Sequence, residues 1–329
     1  MTNLEAQPRE LVCAAGPAQD VQLVEPRDVP LGGPRAMTVR RTLPSRARSL
    51  VGPFCFADHY GPDDVAASGG MDVPPHPHTG LQTVTWLFEG SVLHRDALGS
   101  EQVVVPGQLN LMTAGRGICH SEESTPALFP DRPVLHGVQL WTVLPESARH
   151  GERAFDHVAD VPTFTRDGAL FRVFMGALGG VASPARAYSP LVAAQVDVPA
   201  GARVTLPVDP TFEHGVLVDT GDLRFEGHDV ARSWLAYAPP GRDVLVLEAG
   251  DAPVRAVLLG GEPFDEPVLM WWNFVGRTHD EVVEARAQWQ AAIAGDTTGL
   301  GRFGEVHGYA GPPLPAPELP NVRLRPRER

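Results

Sequence analysis

The chain has 329 residues, a mean hydropathy of −0.10 and a formal net charge of −13, which describes a soluble globular protein long enough for two domains. All 27 basic residues are arginines, and they form no dense patch of the kind that binds a phosphate backbone. The charge therefore argues against direct binding of nucleic acid. No apolar run reaches the length of a membrane span, so we expect no membrane contact.

Three cysteines bear on the compartment in which the protein works. Cys13, Cys55 and Cys119 are odd in number and irregular in spacing, unlike the cysteines of a disulfide framework. The first residues, MTNLEAQPRELVC, carry two glutamates and lack the apolar stretch of a secretory signal. We therefore expect a reducing, cytoplasmic setting.

Short runs rich in Val, Leu, Thr and aromatic residues alternate with Gly/Pro turns from about residue 35 to 145 and again from about 165 to 262. Runs such as LQTVTWLFEG, EQVVVPG and HGVLVDTGDLRFEG have the length and spacing of strands in an all-β sandwich or barrel. A weak similarity between the two sets of predicted strands favours two barrels of the same kind. The polar stretch PESARHGERAFDHVADVPTF between them predicts a linker, and we divide the chain into residues 1–148 and 149–329.

One helix is predicted late in the chain, over residues 278–294. Thr278 and Glu281 have the spacing of a capping box, and Gly295 supplies a stop. The apolar side chains between them share one helical face, which favours packing on a barrel: Val282, Ala285, Trp289 and Ile293. The final residues, PPLPAPELPNVRLRPRER, predict an extended tail.

Two short motifs carry the candidate chemistry, PPHPHTG and GRGICHSEE. Side chains at positions i and i+2 of a strand project from the same face, so His76 and His78 point together, as do His120 and Glu122. If the two motifs lie on neighbouring strands, three imidazoles and one carboxylate converge inside a barrel. An isolated H-x-H is more often a packing or surface feature, but two such pairs favour a metal site.

Neutral imidazoles with one carboxylate suit Fe, Ni, Mn or Zn. Four protein ligands around an octahedral ion would leave two positions for water, dioxygen or a substrate. Spacing alone does not distinguish among these metals, and a metal-free pair of barrels kept for packing remains an alternative.

Several segments in chain order resemble the pirin family of the cupin superfamily: VGPFCFADHYGP, PPHPHTGLQTVTWLFEGSVLHRDALG, LMTAGRGICHSEE, GVQLWTVLP, PGRDVLVLEAG and GGEPFDEPVLMWWNFVGRTHDEVVEA. This resemblance spans about residues 20 to 305 and implies a bicupin fold in which only the N-terminal barrel keeps a metal. The family's ligands fall on His76, His78, His120 and Glu122, with Fe²⁺ as the expected metal and Ni, Mn, Zn or Cu as others that the site would accept. The second set of strands has only His214 and His228, without a paired motif.

This chain departs from the family pattern at one position and adds a cysteine beside the motif. Gln82 stands where a glutamate is usual, and from its parity we expect it to face the site and to donate a hydrogen bond to a ligand or to Glu122. Cys119 has the opposite parity from His120, which favours a small buried side chain over a metal ligand or a redox switch.

Apolar side chains near the motifs are candidates for the wall of a substrate pocket, although plain core is the better interpretation of each: Phe56, Val84, Trp86 and Met112. Asp58 and His59 are candidates for holding an imidazole of the site in one tautomer.

The resemblance implies two functions. One is a metal-dependent dioxygenase, since some pirins cleave flavonols such as quercetin; Glu122 would then be the catalytic base that accepts a proton from the substrate hydroxyl. Its partners would be a small aromatic substrate and dioxygen. The alternative is an iron-dependent, redox-sensitive regulatory protein that binds a transcription factor or a metabolic enzyme, for which the acidic charge is suited.

Overall fold

The structure is a computed structural model that describes residues 20–31, 37–296 and 301–326. Cys13 and the N-terminal segment before Asp20 lie outside the described residues, as do the last three residues of the tail. The chain forms two β-barrels with one long helix near its C-terminal end, which confirms the predicted all-β bicupin fold.

The elements up to residue 158 comprise twelve strands and a four-residue helix. In chain order they are β1 (Gln22–Val24), β2 (Arg27–Leu31), β3 (Met37–Leu43), β4 (Phe54–Asp64), α1 (Val65–Ser68), β5 (Met71–His78), β6 (Leu81–Glu89), β7 (Val92–Asp96), β8 (Glu101–Val104), β9 (Leu109–Thr113), β10 (Ile118–Ser124), β11 (Val134–Val143) and β12 (Ala154–Val158). Strands β2 to β12 make the first barrel from a seven-stranded sheet, β12-β9-β6-β11-β4-β3-β2, and a four-stranded sheet, β5-β10-β7-β8.

The remaining elements build the second barrel and its C-terminal additions. They are β13 (Thr163–Arg166), β14 (Ala169–Leu178), β15 (Val181–Ala182), β16 (Leu191–Val198), β17 (Arg203–Pro207), β18 (Glu213–Thr220), β19 (Leu223–Phe225), β20 (His228–Val230), β21 (Leu235–Ala238), β22 (Val244–Ala249), β23 (Val254–Gly261), β24 (Leu269–Trp271), β25 (Phe274–Gly276) and α2 (His279–Ile293). The large sheet runs β1-β21-β18-β23-β16-β14-β13, with β15 beside β14, and the small sheet runs β17-β22-β19-β20.

Each barrel includes a strand from the far side of the sequence division predicted at 148/149. Strand β1 precedes the first barrel but pairs with β21 of the second, where Gln22 lies opposite Tyr237. Strand β12 follows residue 148 but pairs with β9 of the first barrel, where Phe155 lies opposite Met112. The two barrels are therefore joined by strand exchange as well as by the linking chain.

The two large sheets pack face to face across a shared apolar core. Strand β6 is buried along almost its whole length, because one of its faces lines the first barrel and the other contacts the second. Trp86 illustrates the second face, since its ring stacks on Phe174 at 4.5 Å and its Nε1 donates to Oε1 of Gln195. The edge strand β17, in contrast, alternates exposed and buried residues.

Helix α2 confirms the predicted late helix. Thr278 is its N-cap and accepts a hydrogen bond from the backbone N–H of Glu281. The buried face of the helix packs on the β24–β25 hairpin and on Phe303 through Val282, Ala285, Trp289 and Ala292. Across the described residues, no helix combines the length and the apolar character needed to cross a membrane.

Candidate metal centre

Three histidines converge inside the first barrel. Strands β5 and β10 are antiparallel neighbours, and His120 lies directly opposite His76. The ring centroids are 4.3 Å apart for His76 and His120, 5.1 Å for His76 and His78, and 5.0 Å for His78 and His120. One ring nitrogen from each lies within 4.8 Å of the other two, and we call these three residues the histidine cluster.

The prolines and glycines around these histidines fix the path of the chain. Strand β5 is the edge of its sheet, where a proline without an N–H is tolerated, and the carbonyl of Pro75 accepts from the N–H of Leu314 in the C-terminal tail. Gly80 ends the motif with φ +69°, and a Cβ there would lie 2.4 Å from the carbonyl oxygen of Val275. Its N–H donates to the carbonyl of Gly115, which ties the PHPHTG turn to the TAGRG loop before β10.

Burial keeps the three imidazoles neutral. It is the largest cause lowering the pKa of each well below the ordinary value, and the neighbouring imidazoles add to it for His78 and His120. A backbone hydrogen bond to Asn273 opposes this effect at His78 without reversing it. Neutral rings carry the lone pairs that a metal ion requires.

The hydrogen bonds of His76 set the direction of its free lone pair. Its Nδ1 lies 2.8 Å from the carbonyl oxygen of Pro74, which must accept, so Nδ1 carries the proton and Nε2 carries the lone pair. Among the described residues, the buried Nε2 atoms of His76 and His120 have no hydrogen-bond partner. Buried polar atoms of this kind usually have one, so the cluster fits a cation that would accept these lone pairs.

Glu122 lies beside the histidine cluster, next to His120. A register shift separates His120 from Glu122 along the β5–β10 pairing. Donor atoms of Glu122, His120 and His94 lie within 4.8 Å of one another. His120 therefore belongs both to this group and to the histidine cluster. The hydroxyl of Thr85 lies 3.3 Å from Oε1 of Glu122 and 3.2 Å from Oε1 of Gln139.

His94 and Asp96 are site residues that the motif analysis missed. Nδ1 of His94 is 3.4 Å from Nδ1 of His120, and Nε2 of His94 is 3.1 Å from Oδ2 of Asp96. The carboxylate accepts from His94, which leaves Nδ1 of His94 to accept from His120 and directs Nε2 of His120 into the cluster. The i, i+2 spacing within the sequence HRD, the same signal as in H-x-H, could have identified this pair.

The inner wall beside His78 is aromatic. Trp141 on β11 and the imidazole of His78 meet at nearly a right angle with their centroids 5.0 Å apart, and Phe56 stacks on Trp141 at 4.0 Å. Asp58 forms a buried two-point ion pair with Arg41, at 2.7 and 2.8 Å, so the expectation that it orients an imidazole is wrong. Trp141 was not predicted, because one tryptophan within an apolar strand gives no signal of its role.

Gln82, Val84 and Trp86 lie on the face of β6 that is turned away from Thr85 and toward the second barrel. The amide nitrogen of Gln82 donates to Oγ1 of Thr113 and to the carbonyl of Arg186, and its oxygen accepts from Thr142. The expected hydrogen bond from Gln82 to Glu122 is therefore wrong, because the predicted parity was assigned to the wrong side of the sheet. Gln139 on β11 is the amide that shares Thr85 with Glu122.

The other candidates are placed as follows. Met112 packs with Ala114 and Ile118 close to Phe155, whose ring stacks on His94 at 4.5 Å. His59 points away from the histidine cluster and contacts Asp219 of the second barrel, so its predicted role in orienting a cluster imidazole is wrong.

Cys119 is buried in the apolar cluster around Trp271 and α2, as its parity predicted. Burial raises the pKa of its thiol far above the ordinary value, which makes it unreactive.

The second barrel has no counterpart of the histidine cluster among the described residues. His214 is buried inside that barrel, and His228 is at the surface near Asp20. Neither belongs to a described group of three convergent donors.

A cavity of about 610 Å³ adjoins the end of β5, between the PHPHTG turn and α2. Its lining includes Thr79, Arg116, Phe274 and Arg302, but none of the predicted ligands. The residues of the histidine cluster are 0 % exposed, and the lining residue Thr79 is next to His78 in the chain.

Comparison with known proteins relates this geometry to a family. A pirin family model matches residues 36–142, and a model of the pirin C-terminal cupin domain matches residues 193–295. A relative from Pseudomonas aeruginosa, whose name gives quercetin 2,3-dioxygenase as a proposed activity, is 44% identical over 300 residues and 91% of each chain. A pirin-like protein from Caulobacter vibrioides is 36% identical over 260 residues, which cover 77% of this chain and 88% of the relative.

A solved structure agrees along almost the entire chain. The crystal structure of a quercetin 2,3-dioxygenase from Acinetobacter baumannii matches with a TM-score of 0.85 at 38% identity, covering 94% of this chain and 98% of that chain. Both barrels are thus matched in sequence and in shape, and the chain belongs to the pirin family.

Proposed function

We propose that this protein is a metal-dependent dioxygenase that cleaves a ring of a flavonol such as quercetin. The observation that carries the proposal is the convergence of three buried, neutral imidazoles, two of which have a buried Nε2 without a hydrogen-bond partner. The names of the Pseudomonas and Acinetobacter proteins support the substrate class.

The donor set supports Fe²⁺ as the metal, held by the histidine cluster together with Glu122. Imidazole nitrogens with one carboxylate oxygen suit iron and also nickel, manganese, zinc or copper. Which metal is bound therefore depends on the availability of each metal in the cell as well as on the site. When bound, the metal supplies Lewis acidity that lowers the pKa of a substrate hydroxyl.

The chain's own residues then handle the proton and the water. We propose that Glu122 acts as the base, because its carboxylate lies beside His120 and can accept the hydroxyl proton of a flavonol. Thr85 donates to Oε1 of Glu122 and orients the carboxylate. Trp141 supplies a flat apolar surface beside His78, and the complete burial of the cluster excludes bulk water from the reacting centre.

The test is dioxygen consumption by iron-loaded protein in the presence of quercetin. Glu122→Gln keeps the size of the side chain and an oxygen donor, so we expect it to retain much of the iron while turnover falls about 10²- to 10⁴-fold. Cys119→Ala, on the opposite face of the same strand, is the matched control and should retain both iron and turnover. Full turnover in Glu122→Gln would remove the base assignment, and no consumption by the unmutated protein with quercetin or related catechols would overturn the proposed activity.

The regulatory alternative stays a prediction from the sequence, as does the cytoplasmic setting, with which the buried Cys55 and Cys119, neither in a disulfide, agree. A regulator would retain a protein partner in its Fe(III) form but not in its Fe(II) form, and would show no turnover. Measuring partner binding and quercetin turnover with the Fe(III) and Fe(II) forms therefore distinguishes the two functions.

A further inference from the structure

A second group of convergent donors lies where the two large sheets meet. It consists of His59 on β4, His136 on β11 and Asp219 on β18, and we call it the inter-barrel cluster. Nε2 of His59 is 2.8 Å from Oδ1 of Asp219, Nε2 of His136 is 2.6 Å from the same oxygen, and the two nitrogens are 3.3 Å apart. The three residues are 0, 3 and 1 % exposed, respectively.

This group is separate from the histidine cluster because it occupies the opposite face of the same sheet. On β4, Asp58 points into the first barrel while His59 points toward the second. On β11, Gln139 points inward beside Thr85, whereas His136 has the other parity and approaches Asp219. One carboxylate from the second barrel thus meets two imidazoles from the first.

Two of the remaining polar atoms, Nδ1 of His59 and Oδ2 of Asp219, are held by neighbours, as is usual around metal ligands. Nδ1 of His59 lies 3.0 Å from Oγ of Ser233. The second oxygen of Asp219 pairs with the guanidinium of Arg255, which also stacks over the ring of Phe88. These contacts leave Nε2 of His59 and Nε2 of His136 both facing Oδ1 of Asp219.

The protonation states suit a cation. Burial lowers the pKa of His59 to about 4, an effect that Arg40 increases and Asp219 opposes, so the imidazole is neutral at pH 7. Burial alone would raise the pKa of Asp219, but hydrogen bonds from His136 and His59, together with Arg255, hold it well below the ordinary value. A cation would take the place of the two Nε2–H donors, with the proton of each imidazole on Nδ1, where that of His59 can donate to Ser233.

We infer that His59, His136 and Asp219 form a second divalent-metal site, suited to Zn²⁺, that joins the two barrels. Tetrahedral zinc bonds of about 2.0–2.2 Å set neighbouring donor atoms roughly 3.3–3.6 Å apart. The two imidazole nitrogens already have this separation at 3.3 Å, and an ion would replace the shorter nitrogen–oxygen contacts of 2.8 and 2.6 Å. Two imidazoles and one carboxylate are a complete protein contribution for such an ion, with water filling the rest of its shell. The competing arrangement directs both Nε2–H groups at one carboxylate oxygen, and the experiment must separate the two.

The experiment first removes the histidine cluster and then counts metal. His76→Ala/His78→Ala protein is loaded with Zn²⁺, freed of excess ion and analysed by mass spectrometry. One zinc per chain is expected to remain, and none after addition of Asp219→Asn, which keeps the shape of the side chain. His150→Ala, which removes an exposed histidine outside both clusters, is the control added to the same background and should retain the ion. Loss of all zinc from the His76→Ala/His78→Ala protein would overturn the inference.

Anomalous scattering at the zinc edge tests the unmutated protein and does not depend on how the variants fold. A peak within bonding distance of all three side chains of the inter-barrel cluster is expected. If zinc-soaked crystals show a peak only at the histidine cluster, the second group is a hydrogen-bonded triad and the inference is wrong. Neither result depends on quercetin turnover, so this inference and the proposed function fail separately.

Discussion

His94 and His120 face each other through their Nδ1 atoms at 3.4 Å, and Asp96 holds the far nitrogen of His94 at 3.1 Å. This chain of three side chains orients the imidazole of His120. We expect His94→Ala to lower metal affinity about 10- to 100-fold, since a ligand that loses its orienting partner binds less tightly. Competition with a chelator of known affinity measures the change.

His157→Ala is the matched control for His94→Ala. Its imidazole lies on β12 and bonds to Asn110 of the neighbouring strand at 2.7 Å, not to His120. Its metal affinity should equal that of the unmutated protein. Equal affinities for both variants would mean that His94 is core packing alone.

Cys119 should resist alkylation in the folded protein. Its side chain lies among Leu269 and Trp271, and burial raises the pKa of the thiol far above the pH of any ordinary reaction. We expect the peptide that contains Cys119 to remain unmodified by iodoacetamide at pH 8, and to react only after denaturant is added. Mass spectrometry of that peptide provides the readout, and rapid labelling of the native protein would restore the redox-switch interpretation.

Gln82→Glu tests the corrected position of this side chain. Its amide nitrogen donates to the carbonyl of Arg186, and a carboxylate in its place would set two acceptors against each other. We expect a loss of about 1–3 kcal/mol in the free energy of unfolding, with metal content unchanged. Urea unfolding and metal analysis measure the two quantities; altered metal content at unchanged stability would place position 82 back in the site.

The buried His214 is expected to make the stability of the folded protein depend on pH. Burial lowers the pKa of His214 to about 4, against about 6.5 in the unfolded chain. Between these two pH values the imidazole is protonated in the unfolded state but not in the folded state. Stability then falls by about 1.4 kcal/mol per pH unit from this group between pH 6.5 and pH 4. His214→Leu lacks this contribution and should gain about 1–2 kcal/mol over the unmutated protein between pH 7 and pH 5.

Urea unfolding at a series of pH values from 7 to 4.5 measures this gain. His228→Leu is the control, because its side chain is partly exposed and should leave the pH dependence unchanged. Parallel stability curves for His214→Leu and the unmutated protein would contradict the assignment.

The sequence was sufficient to predict the barrels and the convergence of the paired histidines, because both depend on local patterns. Alternation along β5 and β10 places His76 with His78, and family resemblance supplies the pairing of the two strands. The predicted orientation of Gln82 and Trp86 was wrong for a physical reason. Strand β6 is buried on both faces, so the alternation of its side chains defines two faces but does not tell which of them lines the first barrel.

Contacts between distant parts of the chain were also beyond sequence patterns. His59 meets Asp219 across 160 positions, and neither residue lies in a motif that suggests the other. The pairing arises from how the two large sheets are stacked, which depends on many apolar side chains together. His94 is different, since its HRD spacing was visible and only its role was not assigned.

The exchanged strands β1 and β12 determine how this protein can be divided. A fragment that stops at residue 148 lacks β12 and leaves the edge of β9 without its partner, while a fragment that starts at residue 149 lacks β1 beside β21. Unpaired edges of this kind promote association with other chains. Separate halves should therefore aggregate when made alone and regain solubility when made together, because each barrel needs a strand from the other half of the chain.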